Sequence, residues 1–456
     1  MKRLLWIFFS ALGVIILAGI VVALRQPKPL FSGPLALPDG ALVRIVGVTY
    51  GTNHFVGRPL ARAVAHLPTG AQAVLKRLLG TRALLEASTT SSEPRLIVWL
   101  ARATNNGATP PNASYLSAML SDSSGFTSGD STPVYVWWPG PQQVSFQVFP
   151  RRDPVMALHF FYQTPTGSVT HGGSLQFANP LHRNFPHWQP EPLPATRRSG
   201  DVVVTLDKLS TGHDGNSSSS SLPGGGSATE FGALGVDGRN VTVCAIHLHS
   251  LTNSNEVWMV AGEEVSDATG NRMRNTSLGL GGSEDGYFTF GPSLWTNESA
   301  WKLRCEIKRS KGFTPGEIFV FRDVPLGGLD ETNRLGWTTN FAGVTVTLDQ
   351  IVRRPPPTGN SWSSDNLSLA QFTTGGLTNG VHLDLISART DTGTKLESPS
   401  WSSGGSQRTY SFRNFPTDAR SADFTFAVQH SRWVEFTVKP EVGPLSIEYK
   451  PSRRTE

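Results

Sequence analysis

Apolar and polar residues alternate over many short stretches of this chain, and three of those stretches break the alternation at the same point. "DVVVTLDKLSTG" (201–212) and "GVTVTLDQIVRR" (343–354) share the run Val-Thr-Leu-Asp, and "ALVRIVGVTYG" (41–51) keeps the same spacing. Their apolar positions fall at Val43, Ile45 and Val48, at Val204, Leu206 and Leu209, and at Val346, Leu348 and Ile351. A period of two marks a strand with one buried face. A step of two followed by a step of three needs one extra residue, which predicts a bulge or a strand crossing from one sheet to the other.

Further landmarks follow each of these strands in the same order. A turn runs from Asp122 to Gly125, from Asp267 to Gly270, and through Asp391-Thr392-Gly393. Asp accepts backbone hydrogen bonds at a turn and Gly tolerates positive φ, so these read as hairpins. Next comes an aromatic-led strand: "VSFQVF" (144–149), "SAWKLRCEI" (299–307) and "SADFTFAV" (421–428). A short alternating strand then ends at a proline in "SLQFANP", "EIFVFRDVP" and "VEFTVKP". An ordered set of landmarks met three times predicts three diverged copies of one all-β plan. The expected organisation is a first β-sandwich unit over 26–180, a Pro-rich linker over 181–200, and a second unit over 201–326. A junction over 327–342, a third unit over 343–445 and a tail over 446–456 complete it. On these residues the chain resembles the immunoglobulin-like extracytoplasmic modules of bacterial membrane-anchored proteins. The resemblance implies tandem β-sandwiches used for binding or scaffolding and transfers no residue-level role.

Only the first unit carries a helical pattern, an insertion over 58–80. Leu60, Val64 and Leu67 have helical spacing before Pro68, and Thr69 can open a second helix bearing Val74, Leu75, Leu78 and Leu79. Arg58, Arg62, Lys76, Arg77 and Arg82 make it basic. It suits either a lipid surface or a flap packed on its own sandwich. "GHDGNSSSSSLPGGGS" (212–227) reads as a flexible loop and "VRRPPPTGNSWSSDN" (352–366) as a stiffer one.

The N-terminus changes the picture. After Met1-Lys2-Arg3 stand 21 uncharged residues, Leu4 to Leu24, followed by Arg25. A helix of that length spans roughly 30 Å, a bilayer core, and exceeds the run of about 7–15 residues in a cleaved signal peptide. Residues 1–25 are therefore expected to be a single-pass signal anchor, with the bulk of the chain outside the cytoplasm, periplasmic or extracellular. Lys and Arg outnumber Asp and Glu by 12 to 6 over residues 25–180, against 26 to 29 over 181–456. The basic excess beside the anchor suits anionic lipid, an anionic or polysaccharide surface polymer, or an envelope protein. No stretch carries the dense basic stripe with interleaved aromatics that nucleic acid requires.

Candidate chemistry is sparse. The standard catalytic and phosphate-binding signatures are absent, so no catalytic residue, cofactor or metal ligand set is expected. Asp391-Thr392-Gly393 spells an aspartic-protease triplet, but Arg389-Thr390 precedes it where that enzyme needs apolar residues, and a turn explains it. Ser299 and Lys302 match S-x-x-K within a strand pattern rather than at a helix start. His247 and His249 share one strand face without further ligand-like spacing. Cys244 and Cys305, the only cysteines, lie on strand-like stretches and either bridge two sheets or stay as buried thiols. Trp137, Trp138 and Trp188 lie in loop-like segments, where they can stack on sugar rings or plug the ends of a sandwich. The sequence thus points to a non-catalytic structural or binding protein. A carbohydrate binder that uses loop aromatics is the second reading, and a membrane-anchored protease the third.

Overall fold

A computed structural model describes residues 31–449 apart from 38–40, 57–66, 80–86, 105–115, 128–131, 135–140, 164–168, 223–225, 233–239, 253–254, 276–284, 291–292, 355–366, 379, 397–399, 413–414 and 443–444. The chain is all-β, in antiparallel sheets. The strands are, in order, β1 (Leu35–Ala36), β2 (Ala41–Val56), β3 (Ala87–Thr104), β4 (Leu116–Ser121), β5 (Thr132–Val134), β6 (Gln142–Phe146), β7 (Val155–Gln163) and β8 (Val169–Ala178). Then come β9 (Ala195–Ser199), β10 (Val202–Leu222), β11 (Gly226–Gly232), β12 (Asn240–Ser250), β13 (Val257–Asp267), β14 (Arg272–Asn275), β15 (Asp285–Phe290) and β16 (Trp301–Lys311). The rest are β17 (Ile318–Pro325), β18 (Thr332–Phe341), β19 (Val344–Val352), β20 (Ser368–Gly375), β21 (Val381–Thr390), β22 (Lys395–Leu396), β23 (Ser400–Gly404) and β24 (Gln407–Phe412). They end with β25 (Ser421–His430), β26 (Arg432–Val438), β27 (Glu441–Val442) and β28 (Leu445–Tyr449). The one long helix among the described residues is α1, Thr69–Leu79, within the insertion between β2 and β3. No helix of the described residues is long and apolar enough to cross a membrane, and the apolar segment 4–24 lies outside them.

Among the described residues, six sheets group by strand order into three pairs. In the first, β1-β2-β3-β6 accompanies β5-β4-β7-β8; in the second, β9-β10-β12-β15 accompanies β14-β13-β16-β26. In the third, β18-β19-β20-β24-β23 accompanies β22-β21-β25-β17. The extra residue implied by the hydrophobic pattern stands at Val46, Asp207 and Asp349, where the registers against β3, β12 and β20 each slip by one. The slip keeps apolar side chains inward on both sides of it: Val204, Leu206, Leu209, Val346, Leu348 and Ile351 are all fully buried. Past its bulge, β10 also runs parallel to β27, the continuation of β26 from the partner sheet.

The turns after β4, β13 and β21 share one geometry. Gly125, Gly270 and Gly393 take positive φ of 85°, 92° and 83°, and each donates to the carbonyl three residues back, of Asp122, Asp267 and Thr390. Asp122 and Asp267 accept from the backbone N–H two and four residues on, at 2.9 Å each for Asp122 and at 2.9 and 3.1 Å for Asp267. The third turn is displaced from the sequence alignment by one position. Thr390, not Asp391, fills the place of the two aspartates, accepting Thr394 N–H at 3.1 Å on its hydroxyl. Asp391 is exposed, and its carboxylate accepts the Arg420 N–H at 3.2 Å.

Two strand assignments differ from the sequence expectation. "VSFQVF" enters β6, which pairs with β3; the counterpart of β16 and β25 is β7. The two closing strands are also exchanged. β17 pairs with β25 in the third pair, and β26 pairs with β16 in the second. One residue, Ser431, separates β25 from β26. A hairpin connection commonly needs at least two residues, so β26 does not fold back on β25 and runs on into the second pair. Residues 318–430 thus sit between two neighbouring strands of the second pair. The expected flexible loop 212–227 instead extends β10 to Leu222, with β11 and then β28 hydrogen-bonded beyond it. The last residues of the Pro-rich stretch form β9.

Candidate functional site

The cleft at the junction of the first two sheet pairs, about 360 Å³, is lined by Tyr50, Glu93, Gln147 and Arg151 on one wall and Glu264, Arg272 and Arg274 on the other. Local sequence explains the second wall. A bulge at Ala261 shifts the parity of β13, so Glu263 and Val265 join the inner face while Glu264 turns outward. β14 follows the Asp267 turn, and its Arg-Met-Arg spacing puts Arg272 and Arg274 on the face opposite buried Met273. Glu264, only 3% exposed, pairs closely with Arg272 and stands 3.8 Å from Arg274 and 3.6 Å from Arg304. Three guanidiniums around one carboxylate leave an excess of positive charge, with Arg272 and Arg274 more than half exposed at 59% and 56%.

The first wall is fixed by the segment after β6. Arg151 donates to the Thr269 carbonyl at 3.1 Å and lies over the Phe149 and Tyr50 rings, 4.8 and 5.6 Å from their centroids. Burial draws its guanidinium below the ordinary arginine value, though an arginine keeps its charge in proteins. Beneath it, the buried Asn271 amide grips the backbone of one residue of the first wall, accepting Phe149 N–H at 3.2 Å and donating to Phe149 C=O at 2.9 Å. Arg152 Nε–H is shared between the two Glu298 carboxylate oxygens at 2.8 and 3.0 Å. Phe126 meets Trp295 edge-on with centroids 6.5 Å apart, and a single apolar cluster runs through both sheet pairs. The walls are therefore rigidly set. Guanidinium forks on such a frame match planar carboxylates, sulfates and phosphates in a way that a lysine ammonium does not.

Cations and aromatics continue from the cleft across the outer face of the second pair. Lys302 lies over the Trp188 ring at 4.9 Å and pairs with Glu435 at 2.9 Å, while Arg304 lies over Trp433 at 4.8 Å. Trp188 is thus half-buried with a cation on its ring; Trp137 and Trp138 lie outside the described residues. Cys244 and Cys305 are not bridged to each other and are fully buried on core-facing positions of β12 and β16. Burial, with the nearby Glu263 carboxyl, pushes the Cys305 thiol well up. Glu263, opposite Cys305 in the register, is itself pushed up to about 8 by burial. His247 bonds Asp207 at 2.5 Å. Sequence reasoning missed the cleft because its residues come from four separated segments. The readable signals were the Arg-x-Arg of β14 and the Arg151-Arg152 pair.

Among the described residues, no group of three or more His, Cys, Asp or Glu side chains is placed to hold a metal ion. No protein-family model matches the chain, and no curated protein is significantly similar to it.

Proposed function

We propose that this chain is a membrane-anchored, extracytoplasmic binding protein that holds an acidic surface polymer without transforming it. The observation that carries this reading is the cleft itself, where Arg272 and Arg274 crowd the buried Glu264 carboxylate opposite Arg151, with Arg304 reaching the same carboxylate from beside the cleft. Support for the location is the uncharged run Leu4 to Leu24 behind Lys2 and Arg3. Support for three immunoglobulin-like units is the recurrent order, in which the core of one sheet, β2-β3-β6 or its counterparts, faces β8-β7-β4-β5 or its counterparts. A polymer is favoured over a small anion because the positive face extends past the cleft to Lys302 and Arg304, beside Trp188 and Trp433. The expectation that Trp188 stacks on a neutral sugar fares less well, since Lys302 already covers its ring. The Asp391 carboxylate accepts the Arg420 N–H from the neighbouring loop, which argues for structure rather than proteolysis.

The test is retention of the full chain, in detergent micelles, on beads bearing an acidic polysaccharide against beads bearing a neutral one. Saturable binding to the acidic polymer that weakens with salt is expected. Replacing Arg272 and Arg274 together by Ala should cost about tenfold or more, as charge-assisted bonds contribute about 1.5–3 kcal/mol each. Equal retention on both polymers, or no effect of the double change, would overturn the proposal. Capture of an acidic protein with no polysaccharide binding would overturn the polymer assignment.

A further inference from the structure

The outer face of the sheet β5-β4-β7-β8, remote in sequence from the cleft-forming β14, brings two imidazoles together. His159 Nδ1 and His171 Nε2 stand 3.2 Å apart, and His159 Nε2 lies 2.8 Å from the hydroxyl of Ser121, a residue only 1% exposed. His159 follows core-facing Leu158 and precedes core-facing Phe160, so it points away from the core. His171 reaches the same face through an irregularity. Phe160 pairs with Gly173 but Phe161 with His171, so Gly172 is an extra residue in β8. Were Gly172 paired in a regular ladder, His171 would oppose Tyr162 and turn to the inner face; with the bulge, His171 opposes Phe161, with ring centroids 5.3 Å apart. Gly173, at φ 112°, is held tightly here, because a Cβ would come within 2.7 Å of Leu35. The bulge thus re-aims one histidine at the other.

Two further features look past a simple hydrogen bond. The nitrogen separation is close to the roughly 3.3–3.4 Å edge between two ligands at about 2.0–2.1 Å on a tetrahedral ion. Met119 lies directly opposite His159 in the register and faces outward, 7% exposed. Directly opposed Cβ atoms on neighbouring strands are about 4.5–5.5 Å apart, within reach of a thioether. Imidazole suits several transition metals, but a thioether beside two imidazoles selects copper(I). We infer that His159 and His171, with the Met119 thioether, form a copper(I)-binding site on the first sheet pair, independent of the polymer cleft. Ser121 is its positioning residue. By accepting a hydrogen bond from His159 Nε2–H it fixes the tautomer in which Nδ1 is the ligating nitrogen, as outer-shell partners of ligating histidines do. His171 is exposed, which gives the ion an entry path.

Anaerobic titration of the full chain with copper(I) against a chromophoric competing chelator tests this. One copper(I) per chain is expected, with nitrogen and a single sulfur scatterer in X-ray absorption. His171→Ala should abolish stoichiometric binding; the residue is exposed, and circular dichroism verifies the variant's fold. Ser121→Ala should weaken binding by about tenfold. Met119→Leu, close in volume, should remove the sulfur scatterer and weaken copper(I) while sparing zinc. Absence of saturable binding would refute the site. So would binding that survives His171→Ala and disappears on alkylation of the two cysteines.

Discussion

The two junctions of this molecule are built in opposite ways. Between the first and second sheet pairs the contact is a continuous apolar core, closed by Phe126, Phe149 and Trp295. Between the second and third pairs the apolar clusters stay separate, and the link is polar and topological. The chain crosses there twice, into β17 and back into β26. Around the crossings Lys308 pairs with Asp384 at 2.5 Å, and Glu306 accepts from His382 at 2.9 Å and from Ser431 at 2.5 Å. Each junction has a buried amide gripping the backbone N–H and C=O of a single residue: Asn271 on Phe149 in the first, and Gln429 on Arg309, at 2.9 and 2.7 Å, in the second. A fused core is non-directional and makes one rigid body that can hold a shaped cleft. A polar junction depends on a few directional bonds, so single substitutions or a pH change can loosen it selectively.

The largest expected effect comes from breaking the fused core. Trp295→Ala removes a fully buried ring and should cost about 3–5 kcal/mol. Hydrogen exchange should then rise in both the first and second pairs, while 318–430 stays protected. Exchange rising in the second pair alone would show that the two cores are energetically separate.

Glu263 lies inside that fused body and makes it sensitive to alkali. Its folded value of about 8 exceeds the ordinary 4.5. Between those values the folded chain holds a proton that the unfolded chain has lost, so stability falls as pH rises through the window. Glu263→Gln should therefore raise stability by about 4 kcal/mol at pH 8 and change little at pH 4. Thermal melts at the two pH values check this, and a variant equally affected at both would contradict the assignment.

The polar junction should respond with the opposite sign. Burial alone would raise the Glu306 carboxyl, but the bonds from Ser431 and His382 outweigh it and hold it below the ordinary 4.5. The stability it lends is present above that value and is lost as pH falls through the lower folded one. Acid should thus open the second junction first, seen as faster exchange at β25 and β16 below about pH 4.5. Gln429→Ala leaves the Arg309 N–H and C=O without their side-chain partner and should cost about 1–3 kcal/mol at neutral pH. Its effect should be confined to the same strands; spread into the first pair would erase the contrast between the junctions.

The repeat was legible in the sequence because it rests on local geometry. The step of three after Ile45, Leu206 and Leu348 marked the bulges at Val46, Asp207 and Asp349. The turn glycines were equally plain, but the shorter third turn hid the fact that a Thr390 hydroxyl replaces a carboxylate. Partner choice was not legible. β6 and β7 are both alternating and aromatic, and nothing local says which lies beside β4. The exchange of β17 and β26 did leave a trace, because "TPTGS" gives β7 and β8 a five-residue connection while a single Ser431 follows β25. The cleft was legible only as isolated arginine pairs, since Tyr50, Arg151 and Arg272 meet only through the docking of two sheet pairs.

The most direct test of the central proposal is hydrogen–deuterium exchange of the full chain with and without a saturating acidic polysaccharide. Protection is expected at 147–152 and 264–274, the two walls of the cleft, with little change across 318–430. No protection at those walls, or protection confined to 318–430, would contradict a polymer-binding cleft between the first two sheet pairs.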